Sequence, residues 1–241
     1  MPRGKAKKKI VVNFILDETA SMYDVIGATI DGFNEYVDTL KQNKRATILF
    51  SLTKFNSEKI ESVNVCDPIS KIKRLTVDTY QPANMTPLYD AIGQTVTDTE
   101  KRLKEIKGKP TVLCVVQTDG WENCSQRFDL VKIRSLIEEK ERDGWTFVYL
   151  GANQDAWSAG GTMGISVNNT LSYITTDEST NDAFVALSNA TATYTTNVVE
   201  GGVAMSDSSF FTESGAGLDI RDADGSKTIT KSDTGELIEE A

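Results

Sequence analysis

Apolar residues fall along this chain in two alternating rhythms. Near-continuous runs occupy residues 10–16 (IVVNFIL), 46–55, 111–117 (TVLCVVQ) and 145–150 (WTFVYL). Each has the length and β-branched character of a strand buried on both faces. Between them the spacing changes. Val25, Ile26, Thr29, Ile30, Phe33, Tyr36, Val37 and Leu40 recur every three or four residues with acids on the other face, which predicts a helix over 22–41. A second helix is expected over 87–107, with Thr86 as its cap and Pro87 at its first position, stopping at Gly108 and Pro110. A third is expected over 128–142, closed by Asp143 and Gly144. After the polar turn at Asn56 and Ser57, residues 59–65 read as an antiparallel edge strand, and 69–75 as a short helix or an irregular connection. A short helix over 156–163, a last strand over 171–175 and a last helix over 179–196 complete the pattern. Strand–helix alternation of this kind predicts an α/β, doubly wound fold. Its central sheet is mostly parallel with one antiparallel edge strand, and helices cover both faces.

The pattern fades at both ends. Residues 1–9 (MPRGKAKKK) form a basic leader expected to be disordered, residues 10–200 one domain, and residues 201–241 a Gly/Ser/Asp-rich acidic tail expected to be mostly unstructured. Phe210 and Phe211 are the tail's candidates for docking. Asp222-Ala223-Asp224-Gly225 lacks the further acids that a calcium loop requires.

Composition narrows the function. Lys and Arg number 26 against 35 Asp and Glu, and the net charge of −9 argues against nucleic-acid binding. The apolar runs are too short to cross a bilayer, and the leader lacks signal-peptide form. A cytoplasmic protein is expected. Cys66, Cys114 and Cys124 are odd in number and lack CxxC spacing, which suits reduced thiols. With no histidine, Ser-His-Asp and Cys-His catalysis and His-based zinc sites are excluded, so a metal must rely on oxygens.

One stretch offers them. The run at 10–16 ends in Asp17, with hydroxyls at Thr19 and Ser21. Ligands of open α/β sheets sit at the carboxyl ends of the strands. Thr86, before the second long helix, and Asp119, after the strand at 111–117, arrive at that same edge. Two carboxylates and three hydroxyls suit Mg2+, with Mn2+ or Ca2+ also compatible. Each piece has a plainer reading: Asp17 or Ser21 as a helix cap, Thr118-Asp119-Gly120 as a turn.

DETAS, NMTPLYDAI and QTDGWEN together resemble the von Willebrand factor A (vWA) family, whose metal-ion-dependent adhesion site follows a DxSxS pattern with a separate Thr and a separate Asp. All five positions are filled in order, here as a DxTxS variant. Residues 150–166 (LGANQDAWSAGGTMGIS) look like the end of the fold in a bacterial and phage-type branch. The resemblance covers about residues 10–200. It implies a Rossmann-like vWA fold and a non-enzymatic, metal-dependent protein-binding module. Asp17, Thr19, Ser21, Thr86 and Asp119 would hold the metal, which is presented to an Asp or Glu of a partner protein. Met22, Tyr23, Trp121 and Asn123 would lie around that socket. Two departures stand out: Thr19 in place of Ser, and Glu18, which adds negative charge beside the site. An aspartyl-nucleophile phosphatase of the haloacid-dehalogenase type is the enzymatic alternative, with Asp17 as nucleophile. It expects a second Asp where Thr19 stands. A structural or assembly component is a third reading, and the oligomeric state is open. The fold by itself fixes none of these.

Overall fold

The computed structural model describes residues 7–153, 156–201, 210–211, 220–221, 228–231 and 237–239. In chain order the principal elements are β1 (Lys9–Asp17), α1 (Ile26–Gln42), β2 (Thr47–Phe55), β3 (Ile60–Pro68), α2 (Leu88–Leu103), β4 (Thr111–Thr118), α3 (Leu130–Arg142), β5 (Trp145–Ala152), α4 (Ala156–Thr162), β6 (Thr170–Tyr173) and α5 (Asp177–Glu200). The central sheet has the order β3-β2-β1-β4-β5-β6. Every neighbouring pair is parallel except β2 with β3, which is the expected antiparallel edge.

β1 lies inside the sheet and is covered on both faces, which explains its unbroken hydrophobicity. Ile10, Val12, Phe14 and Leu16 face one layer, with α1 and α5; Val11 and Ile15 face the other, with α2, α3 and α4. On the first side Phe14 packs edge-on to Phe33 at 5.4 Å and stacks with Phe184 at 6.2 Å. Gly32 makes that stack possible, since a Cβ there would sit 2.1 Å from the Phe184 ring. The polar interruption in β1, Asn13, is satisfied inside the core. It donates to Cys114 Sγ and accepts from Thr99 Oγ1.

Several boundaries differ from the sequence expectation, each for a local reason. The first helix does not begin at Met22. Residues Ala20–Val25 form a 3-10 turn, with the Met22 amide bonded to the Thr19 carbonyl, and the α-helix starts at Ile26. Thr86 does not cap α2; Pro87 occupies the cap position and its carbonyl accepts from Ala91 N. α3 starts at Leu130 because the Asp129 side chain accepts from Lys132 N, a regular N-cap. β3 runs on to Pro68 through register shifts against β2 and through Cys66 at φ 50°, the geometry of a bulge. α5 is longer than expected at both ends. Thr176 accepts from Ser179 N at its start, and Gly201 closes it at φ 90°.

Within the tail, Phe210 and Phe211 join the core of the α1 and α5 layer. They are 2% and 0% exposed, and Phe210 lies 5.9 Å from the Tyr194 ring. Their amides bond to Asn169 Oδ1 and the Asn168 carbonyl. Residues Ile220–Arg221, Thr228–Lys231 and Leu237–Glu239 pair as three short antiparallel strands. Residues 1–6 of the leader and the 222–225 stretch lie outside the described residues.

Truncating a buried phenylalanine removes its transfer energy and leaves a cavity. Phe211→Ala should therefore cost about 3–5 kcal/mol in urea denaturation. A loss below about 1 kcal/mol would show that this pair is not part of the core.

Candidate metal centre

The site lies at the carboxyl edge of the sheet, where β1 and β4 end side by side. Their register pairs Leu16 with Gln117, so Asp17 and Thr118 come next to each other. Asp17 is fully buried, and both its oxygens are engaged. Oδ1 accepts from Thr19 N at 2.7 Å, and Oδ2 accepts from Thr118 Oγ1 at 2.5 Å. Thr118 Oγ1 in turn accepts from Gly120 N, so the end of β4 is tied to the end of β1. Tyr80 OH donates to the Asp17 carbonyl from beneath.

The hydroxyls extend this arrangement outward. Thr19 Oγ1 lies 3.3 Å from Ser21 Oγ, which donates to Asp119 Oδ1 at 2.5 Å. The 3-10 turn after Thr19 places Ser21 at this point. Thr86 arrives from the loop before α2. Its amide donates to Asn123 Oδ1, and its carbonyl accepts from Asn123 N. A Cβ on Gly120 would lie 2.8 Å from Thr86 Oγ1, so glycine there lets the Thr86 hydroxyl approach the residue next to Asp119. Asp17, Thr19 and Ser21 are thus joined to Asp119, and Thr86 is brought against the same turn.

Both carboxylates sit in surroundings that disfavour their charged form. Burial pushes the Asp17 carboxyl up to about 7, against the hydrogen bonds from Thr118 and Thr19 that favour its charged form. Burial also raises the Asp119 carboxyl, with Asp24 adding repulsion. Among the described residues neither acid has a Lys or Arg partner. A divalent ion would supply the missing positive charge to a hard, all-oxygen donor set. No group of three or more Asp, Glu or Cys side chains among the described residues is arranged to hold a metal, so an ion here would depend on the hydroxyls and on water to complete its shell.

Glu18 has a different role from the one its position suggested. Its carboxylate takes two bonds from Lys54 Nζ, at 2.9 and 3.1 Å, and one from Gln81 N. Lys54 Nζ also donates to the Thr79 carbonyl at 2.6 Å. The Glu18 carbonyl accepts from Ala83 N, and the Asn84 carbonyl accepts from Ala20 N. The pair therefore neutralises the charge of Glu18 and fastens the 79–84 loop, which leads to Thr86, onto the Asp17–Ser21 turn.

The expected rim divides. Tyr23 and Trp121 are 68% and 58% exposed, as a contact surface requires. Met22 is not on the rim: it is fully buried, because the 3-10 turn directs it into the core below. Asn123 is committed to holding Thr86. Three features escaped the sequence reading. Met85 is 54% exposed beside Thr86. Glu122 binds the amides of Tyr89, Cys124 and Ser125. Asp90 binds those of Gln126, Arg127 and Phe128. An acid inside a polar loop was the available signal for Glu122, since such carboxylates commonly collect backbone amides. Asp90, in the first turn of α2, reaches across to the 126–128 amides and carried no such signal.

This geometry disfavours a phosphatase. A nucleophilic Asp17 would need a free, accessible oxygen, and Lys54, the lysine held beside this turn, is bound to Glu18. The ion pair itself can be tested. Lys54 and Glu18 side chains are 9% and 12% exposed, so Lys54→Met should strand a buried carboxylate and cost about 3 kcal/mol in urea denaturation. Glu18→Gln added to Lys54→Met should recover most of that loss. Additive losses would show that the two do not act as a pair.

No protein-family model and no curated protein matches the chain. Solved structures do. The vWF domain of the type V pili tip protein Mfa5 from Porphyromonas gingivalis matches 78% of this chain and 96% of its own, with a TM-score of 0.55 and 8% identity. The pilus adhesin SpaC from Lactobacillus rhamnosus GG matches 82% of this chain over 31% of its own, with a TM-score of 0.55 and 9% identity. Proximal thread matrix protein 1 from the mussel byssus matches 80% of this chain with a TM-score of 0.53 and 12% identity, and this chain spans about half of it, 46%. At such identities the likeness is one of fold: the chain has the architecture of a von Willebrand factor A domain.

Proposed function

We propose that this protein is a metal-dependent protein-binding module, presenting a divalent cation, Mg2+ by its hard oxygen donors, to an acidic residue of a partner protein. The observation that carries this reading is the convergence of Asp17, Thr19, Ser21, Thr86 and Asp119 on one turn cluster at the carboxyl edge of the sheet. Two buried or half-buried carboxylates without a cationic partner support it. The site opens outward at Ser21 and Asp119, where a metal with an incomplete protein shell could accept one more carboxylate. Two of the similar structures are named as a pilus adhesin and a pili tip protein, which accords with contact rather than turnover. No helix among the described residues is long and apolar enough to cross a membrane. A reducing, cytoplasmic setting is part of the proposal, in keeping with three cysteines that lack CxxC spacing.

The full chain should bind one Mn2+ saturably in electron paramagnetic resonance titration, and Mg2+ should displace it. Asp119→Ala should weaken Mn2+ at least about tenfold, near 1.4 kcal/mol, with the circular dichroism spectrum and thermal melt retained. Absence of saturable binding, or equal affinity in the variant, would overturn the reading.

A further inference from the structure

The exposed apolar residues of this chain are not scattered at random by type. Among the described residues, the large hydrophobic side chains that are exposed are Tyr23, Met85 and Trp121, together with Val and Leu. The two aromatics and the one methionine all lie within two residues of a candidate ligand: Tyr23 after Ser21, Met85 before Thr86, Trp121 after Asp119. Isolated exposed aliphatics need no explanation. Aromatic and methionine side chains at one place do, because they are the types enriched in protein interfaces and their hot spots.

The backbone shows that these three belong to one rim. Ala20 N bonds to the Asn84 carbonyl, which joins the first segment to the second. Thr86 and Asn123 exchange two bonds, which join the second segment to the third. Ser21 to Asp119 closes the ring. Tyr23, Met85 and Trp121 therefore stand on three segments tied around the same turn, on a base fixed by Glu18–Lys54 and by Glu122.

The charges on these segments have one sign. Residues 18–24, 81–86 and 119–123 contain no Lys or Arg. With Glu18 paired to Lys54 and Glu122 bound to backbone amides, Asp24 and Asp119 are the acids left facing outward. Asp24 is exposed, on the same 3-10 turn as Ser21 and Tyr23. A partner bringing several acids would meet this rim acid to acid, while a partner bringing one carboxylate among apolar residues would place that carboxylate toward the cation and its neighbours on the aromatics.

We infer that the partner segment recognised by this site is a single Asp or Glu flanked by large apolar residues, held by Tyr23, Met85 and Trp121, and not an acidic cluster. The inference rests on the proposed function, and its test separates the two. Short peptides with one central Asp flanked by Leu and Phe, by Ser, or by Glu would be titrated against the full chain in Mg2+ and in EDTA, following tryptophan fluorescence and calorimetry. The apolar-flanked peptide should bind in Mg2+ at least tenfold more tightly than the Glu-flanked one, with a shift in the emission of Trp121. Trp121→Ala and Tyr23→Ala should each weaken it at least tenfold while Mn2+ affinity stays as in the wild type. Equal or tighter binding of the Glu-flanked peptide, or rim variants that bind like wild type, would overturn the rim assignment and leave the metal socket standing. Binding that survives EDTA with the same flank preference would overturn the metal-dependent reading and leave the rim standing. Failure of every peptide to bind the Mn2+-loaded protein would overturn both.

Discussion

Asp17 is a carboxylate at the end of a buried strand with no exposed surface, and the site is built around that constraint. A charge in such a place is unfavourable unless something compensates it. Thr19 N and Thr118 Oγ1 each take one oxygen, and both depend on the fold for their positions. Thr118 is available because β4 pairs with β1 in parallel register. Thr19 N is available because the chain turns into a 3-10 helix immediately afterward. These bonds lower the acid's preference for its proton but do not abolish it, since burial still leaves the carboxyl near 7. On the proposed function, a bound cation would offset the remaining imbalance.

Much of this was legible in the chain. Buried parallel strands are continuous in hydrophobicity, so β1, β4 and β5 stand out, and the candidate ligands follow at strand ends or in the loop before α2. What was not legible depends on how local geometry redirects single side chains. A helix beginning at Met22 would have kept that residue near the rim. A tighter 3-10 turn instead points it inward, and periodicity does not distinguish the two. Thr86-Pro87 has the form of a cap, but the Thr86 side chain lies against Gly120 and the cap falls one residue later. Glu18 looked like added charge because its partner, Lys54, lies on another strand and 36 residues away in sequence. Phe210 and Phe211 sit in a stretch without period, and only the packing of α5 and the 168–169 segment shows where they go.

The site separates a fixed base from an open face. Below, carboxylates are used as structural clamps: Glu18 on the 79–84 loop, Asp90 on the 126–128 amides, Glu122 on the start of α2 and on its own turn. Loops held in this way have lost their conformational freedom already in the free protein, so a ligand binding above them meets a smaller ordering cost. Above, Ser21, Asp119, Tyr23, Met85 and Trp121 are left for contact.

The same division explains how a protein of net charge −9 could select an acidic partner. Without a cation, Asp24 and Asp119 repel a carboxylate, and Asp17 adds to the repulsion as it loses its proton. A divalent ion would reverse the sign of the field at one point only, leaving the acids around it in place. A single carboxylate aimed at that point would be attracted, while a second acid beside it would still meet Asp24. The ion would thus act as more than a bridging atom. It would convert a repulsive surface into one that accepts an acid at a single position, and the apolar rim would decide which surroundings of that acid are tolerated.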